Sequence, residues 1–134
     1  MIYRKVIEMA IAKIVNTARE KLCKAHAGVI PLPAIKYMAF GDGGLNDQGN
    51  PYEVLGTETS MRNEVLKVPI ESVEFPITTT CAYHGRVQKN ELNGVKITEQ
   101  ALYDEDGDLV VYKTFPAREK DADEEFVFIM SEIF

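Results

Sequence analysis

The chain has 134 residues, 46% of them hydrophobic, and carries a net charge of −6 from 21 acidic and 15 basic side chains. That apolar content is too high for a disordered segment, and the length suits one domain spanning residues 1–134. The acidic balance with scattered Lys and Arg argues against a nucleic-acid partner, and no run approaches the ~20 apolar residues that cross a bilayer.

From residue 2 to 26 the pattern predicts a helix. Ile7, Ile11, Ile14, Ala18, Leu22 and Ala25 recur at spacings of three and four, which makes one apolar stripe. Lys21, Lys24 and His26 suit the end of such a helix, Gly28 supplies the stop, and Pro31 and Pro33 prevent continuation. The region from 35 to 134 reads as β-rich. Ile35–Phe40 is the first predicted strand, closed by Gly41-Asp42-Gly43-Gly44. That turn has neither the GxGxxG nor the GxxxxGK[ST] spacing, so it is not read as a phosphate loop. Residues 57–64 are expected to make a helical turn capped by Thr59 or Ser60.

Beyond that the period is two, with strands predicted at 65–70, 73–84, 95–103, 109–115 and 126–134. Pro69 and Pro76 point to edge positions or bends rather than central ladders. Asp106-Gly107 lies between two apolar runs and predicts a hairpin with a type I′ turn. Residues 117–125 are polar and read as a mobile loop. The last strand has Phe126, Phe128 and Met130 on one face and Val127, Ile129 and Ile133 on the other. A strand apolar on both sides must be covered twice, either inside a sandwich or by a second subunit. Together these elements predict an α+β fold, with the N-terminal helix packed on a mostly antiparallel sheet or sandwich of about five to seven strands.

Candidate chemistry is sparse. Cys23 and Cys81 are the two cysteines; without a signal peptide, two thiols point to a reducing compartment. Cys81 and His84 stand three apart, so a strand directs them to opposite faces and they form no nucleophile–base pair. Zinc spacing is absent. Asp104, Asp106 and Asp108 superficially resemble a calcium loop, but Gly107 stands at the fourth position and Phe115 at the twelfth. Glu99 falls on the same face as Ile97 and Ala101, where an unpaired carboxylate is costly. Either a bulge turns it outward or it meets a cation such as Arg62, Lys67 or Arg86. No catalytic, cofactor or metal residue is assigned. If the chain were instead a small enzyme or metal-binding protein, Asp42, Glu99 and the Asp104–Asp108 cluster would carry the chemistry.

The stretches Ile35–Gly44, Asn63–Ile70 and Ile97–Asp104 with Asp106-Gly107 and Leu109-Val110, in that order, resemble the N-terminal domain of bacteriophage tail-collar fibre proteins. Ala101 stands where that family usually has Gly, and Tyr103 where it often has Phe. Family members commonly continue into a long fibre, so a short prophage tail component fits this length better. The resemblance implies a non-enzymatic structural protein of a tail fibre or baseplate, without cofactor. Its partners would be other phage tail proteins and further copies of itself, and it would be made in the bacterial cytoplasm for a place in the virion tail.

Overall fold

The structure, a computed structural model, describes residues 3–9 and 12–134. Along the chain run β1 (Tyr3–Met9), β2 (Lys13–Ile14), α1 (Asn16–His26), β3 (Ile35–Gly41), β4 (Glu64–Pro69) and β5 (Ser72–Ile77). Then come β6 (Thr80–Val87), β7 (Lys96–Asp104), β8 (Leu109–Glu119) and β9 (Glu124–Ile133). Two sheets form, one in the order β1-β9-β6-β5 and the other β2-β8-β7-β3-β4. All these strand pairs are antiparallel except β1 with β9.

This is a β-sandwich with one 11-residue helix, and it corrects the α+β expectation of a long helix packed on a sheet. The predicted helix 2–26 is helical only from Asn16; Tyr3–Met9 is a strand, while Ile2, Ala10 and Ile11 lie outside the described residues. Of the predicted apolar stripe, Ile7 belongs to β1 and Ile14 to β2, and only Ala18, Leu22 and Ala25 stand on α1. Val6 and Ile7 are β-branched and pair along β9, with Ile7 opposite Phe128. Ile7 is buried there, so the strand gains a core position that an isolated helix could not supply.

Between the sheets lies the main core. Phe40 and Phe128 meet with ring centroids 4.6 Å apart, and Phe126 meets Phe128 edge-on at 5.8 Å. Burial of each such ring contributes about 1.5–3 kcal/mol. The layers approach closely at Gly85, where a Cβ would lie 2.5 Å from Met38 Sδ. Strand β9 is central between β1 and β6, and Phe126, Phe128 and Met130 are buried inside the subunit.

Most predicted strands stand within a residue or two, with instructive differences. The run 73–84 is a hairpin, β5 turning at Thr78-Thr79 into β6. Pro69 and Pro76 do lie on edge strands, β4 and β5. The hairpin at 104–108 forms, but only Gly107 has positive φ there, at 86°. Its loop is Glu105-Asp106-Gly107, the three-residue kind in which a glycine follows a type I turn. Residues 57–63 are irregular rather than a helical turn, and Glu64 already starts β4; the Glu58 carboxylate takes the Leu55 and Gly56 amides at 2.9 and 2.7 Å.

The expected mobile loop 117–125 is instead the end of β8, a tight turn and the start of β9. Lys120 makes the difference. It is fully buried, and its ammonium donates to the carbonyls of Lys89, Glu124 and Asp121 at 2.9, 3.1 and 3.2 Å and to Asn93 Oδ1. A charge run on paper is, in three dimensions, a staple between two loops.

Candidate functional site

Glu99 and the glycine-rich turn belong to one structure. Residues 42–63 form a long irregular segment over the outer face of the β3–β7–β8 sheet, and such segments need anchoring. Glu99 on β7 is fully buried beneath it. Its Oε2 accepts the backbone N–H groups of Asn63 at 2.8 Å and Gly43 at 2.9 Å. Its Oε1 accepts Arg62 N–H at 2.9 Å and the Tyr112 hydroxyl at 2.5 Å. Register shifts at Phe40/Gly41 and Ile97/Glu99 aim the side chain at these donors. A Cβ at Gly43 would lie 2.9 Å from Glu99 Oε2, so the turn must be glycine to approach the carboxylate.

The sequence reading offered Glu99 a bulge or a cation; the register does shift between Ile97 and Glu99, yet the carboxylate stays buried and backbone amides meet it in place of a cation. Arg62 gives its N–H while its guanidinium lies 3.5 Å from the Tyr52 ring. Lys67 lies over Tyr103 at 4.2 Å, and Arg86 belongs to the other sheet. Burial first, and then the Glu99 carboxylate, push the Tyr112 phenol well above its ordinary pKa. Asp42 is exposed at the tip, held by Asn63 Nδ2 at 2.5 Å.

The acidic hairpin tip is closed from within. Lys21 Nζ on α1 lies 2.7 Å from Asp104 Oδ2, 2.7 Å from Asp108 Oδ2 and 3.2 Å from Asp106 Oδ2. Asp104 is buried, and its other oxygen accepts the Asp106 and Asp108 amides at 3.0 Å. The three carboxylates have the spacing to ligate a metal ion, since their oxygens lie within 4.8 Å of one another. The lysine ammonium sits where such an ion would. Burial opposes the lysine's charge, but the bonds to Asp104, Asp108 and Asp106 outweigh it and raise its pKa above the ordinary range.

Asp42 and Glu99 therefore meet at one turn through Asn63, and the 104–108 cluster lies apart from them. Glu99 and Asp104 are five residues apart on β7, roughly 17 Å at strand rise.

What the sequence reading missed is a cleft on the far side of Asp104. It has a volume of about 320 Å³ and opens between α1 with the 32–35 segment on one side and β5, β6 and β9 on the other. Leu22, Leu32, Ile35, Val73, Phe75 and Val110 are among its apolar walls. Cys81, Tyr83 and Glu132 supply polar atoms from neighbouring strands, with Cys81 directly opposite Glu132 in register. Tyr83 donates its hydroxyl to Glu132 Oε1 at 3.1 Å. Burial pushes both the Tyr83 phenol and the Glu132 carboxyl above their ordinary pKa values. Glu132 was legible in one respect: it shares the strand parity of Phe126, Phe128 and Met130, an acid on a core face.

His84 points the other way from Cys81, as alternation requires, and reaches Glu74 at 2.5 Å. His26 and Cys23 are exposed on α1.

The outer face of the four-stranded sheet is the last candidate. A row of charges crosses it: Arg4 and Arg86 both reach Glu125 Oε1, at 2.6 and 2.7 Å, and Arg86 forks onto Glu71 at 2.7 and 2.8 Å. Apolar side chains stand at two places on the same face, Val6 beside the row and Ile77 with Ile133 about 20 Å along the strands from it. Ile133 pairs with Thr80, which pairs with Ile77, and Val6 pairs with Val127. Val6, Ile77 and Ile133 are 57%, 61% and 56% exposed.

No family model, curated protein or solved structure matches the chain. No helix among the described residues is long and apolar enough to cross a membrane.

Proposed function

We propose that this chain is a non-enzymatic structural component of a phage or prophage tail, associated with the fibre or baseplate and acting through protein–protein contacts. The observation that carries the contact reading is the outer face of the β1-β9-β6-β5 sheet. Phe126 and Phe128 are committed to the internal core; on the second face of β9 Val127 is also covered within the chain, and Ile133 is the apolar group left for a neighbour. Val6 stands exposed there beside an organised row of Arg and Glu, and Ile77 and Ile133 are exposed at the far end of the same face. Apolar groups next to ordered charges are the composition of a specific interface. The candidate carboxylates are occupied in holding the fold, which favours this reading over a small enzyme built on Asp42, Glu99 and Asp104–Asp108. The tail assignment itself comes from the ordered resemblance of Ile35–Gly44, Asn63–Ile70 and Ile97–Asp104.

The neighbour is a second copy of the chain, other tail proteins, or both. Light scattering coupled to size exclusion tests the first: an oligomer is expected at high micromolar concentration, and Ile133→Asp, at an exposed position, dissociates it without changing the circular dichroism. A clean monomer in wild type, or an oligomer unmoved by Ile133→Asp and Ile77→Asp alike, removes this face as the self-contact. Peptide mass spectrometry of purified particles and tail intermediates tests the tail assignment, which fails if the chain is in neither.

A further inference from the structure

We propose that the cleft between α1 and the β5–β6–β9 strands is a binding site for an organic ammonium ion, a primary amine carried on an apolar body. This goes beyond the tail reading and uses the opposite face of the sheet from the proposed contact surface. The cleft has the size for one ring or a short alkyl chain, and its walls are supplied from both sides, by Leu22 and Val110 against Val73 and Phe75. Val73 and Phe75 belong to an edge strand and remain exposed, so the cleft is open to solvent along β5. A ligand body seated there covers apolar surface the chain leaves wet.

Charge selects the head group. Glu132 is more than nine-tenths buried and is bonded to Tyr83, while the ion pairs of Arg4, Lys21, Lys67 and Arg86 all go to other carboxylates. Across the cleft stand Lys21 and Asp104, members of a knot holding three carboxylates and one ammonium, which sums to −2. An anionic ligand would meet this field head-on, and a purely apolar one would leave Glu132 desolvated without a counter-charge. An ammonium group satisfies both. The titratable groups that line the cleft with Glu132 are Cys81 and Tyr83 from β6, Lys21 from α1 and Asp104 from β7. Burial raises the Glu132 pKa, and a bound cation lowers it again, so binding releases a proton and strengthens as pH rises through the raised value.

The test is calorimetry and ¹⁵N chemical-shift mapping of the intact chain with three probes of one body: 2-phenylethylamine, 2-phenylethanol and 3-phenylpropionate. The amine is expected to bind most tightly and the carboxylate least, with shifts at the amides of Leu22, Ile35, Cys81 and Glu132. Glu132→Gln is expected to weaken the amine by about tenfold or more while leaving the alcohol nearly unchanged. Alcohol binding as tight as the amine, shifts clustered elsewhere, or an amine affinity indifferent to Glu132→Gln each overturn the proposal. Should Glu132→Gln not fold, Leu22→Trp fills the cleft from the helix: lost amine binding supports the site, and retained binding sinks it.

Discussion

Replacing Glu99 by glutamine removes one negative charge from a buried carboxylate that collects four donors, and the positions of those donors set the cost. The side chain keeps its shape but exchanges one acceptor oxygen for an NH₂ donor. If the new oxygen serves Gly43 and Asn63, the NH₂ faces Arg62 N–H and the Tyr112 hydroxyl. Tyr112 can rotate its hydroxyl to accept, but the backbone N–H of Arg62 cannot, and it is left buried without a partner. The opposite flip strands both Gly43 and Asn63, so the first arrangement wins. One orphaned donor costs about 1–3 kcal/mol, and the remaining bonds drop from charge-assisted to neutral strength, for a total of about 2–4 kcal/mol. That is a large share of the ~5–15 kcal/mol available to a domain. Tyr112→Phe deletes one of the four bonds and is expected to cost about half as much. Urea denaturation measures both changes, and hydrogen exchange locates them: the amides of Gly43, Arg62 and Asn63 should lose protection before the β7–β8 ladder does. A Glu99→Gln variant within about 0.5 kcal/mol of wild type by denaturation, with those three amides unchanged, refutes the anchoring argument.

The rest of the molecule offers further tests. Gly85→Ala places a methyl against Met38 between the sheets, and should lower stability by about 1–3 kcal/mol in denaturant melts, partly restored by Met38→Ala, which opens space. Lys21→Met leaves Asp104, Asp106 and Asp108 without their cation; thermal melts should show a loss in the variant that millimolar calcium partly reverses, while calcium leaves wild type unchanged. Stability should also depend on pH in two directions. Bonds from Arg86 hold the Glu71 carboxyl below its ordinary range, and bonds from Arg4 and Arg86 do the same for Glu125. The stability these two contribute is present above the ordinary carboxylate pKa and is lost as pH falls through their lowered folded values, so acid melts of Arg86→Met should be flatter. Glu132 runs the other way: its contribution is full below the ordinary range and is lost as pH rises through its raised folded value, a loss that Glu132→Gln should abolish.

Local pattern in the sequence determined a good deal. The alternation of Ile35–Phe40, Ile97–Tyr103 and Phe126–Met130 placed the strands, because a sheet face is read two residues at a time wherever one side is buried. Pro69 and Pro76 marked the edges, because a ring nitrogen cannot enter a central ladder. Cys81 and His84 were separable by parity alone. The acid at 99 was visible as an anomaly on a core face. Its solution was not, because the donors that receive it are backbone amides from 36 and 37 residues away in one case and 56 in the other. Backbone N–H groups are common to nearly every residue and leave no mark on composition.

The tertiary structure alone decided the rest, for the same reason of distance. The first strand read as helix because Ile7, Ile11 and Ile14 satisfy a helical period and nothing local records that β9 lies 121 positions on in register. Lys21 and Lys120 read as helix-end and loop charges, yet one closes the aspartate knot across more than 80 residues and the other staples two turns. The cleft joins α1, β5, β6 and β9, four elements whose order in the chain says nothing of their adjacency in space. Local side-chain period fixes what a segment can be; which apolar faces meet, and which polar groups are left between them, is set by pairing over distances that no window of sequence spans.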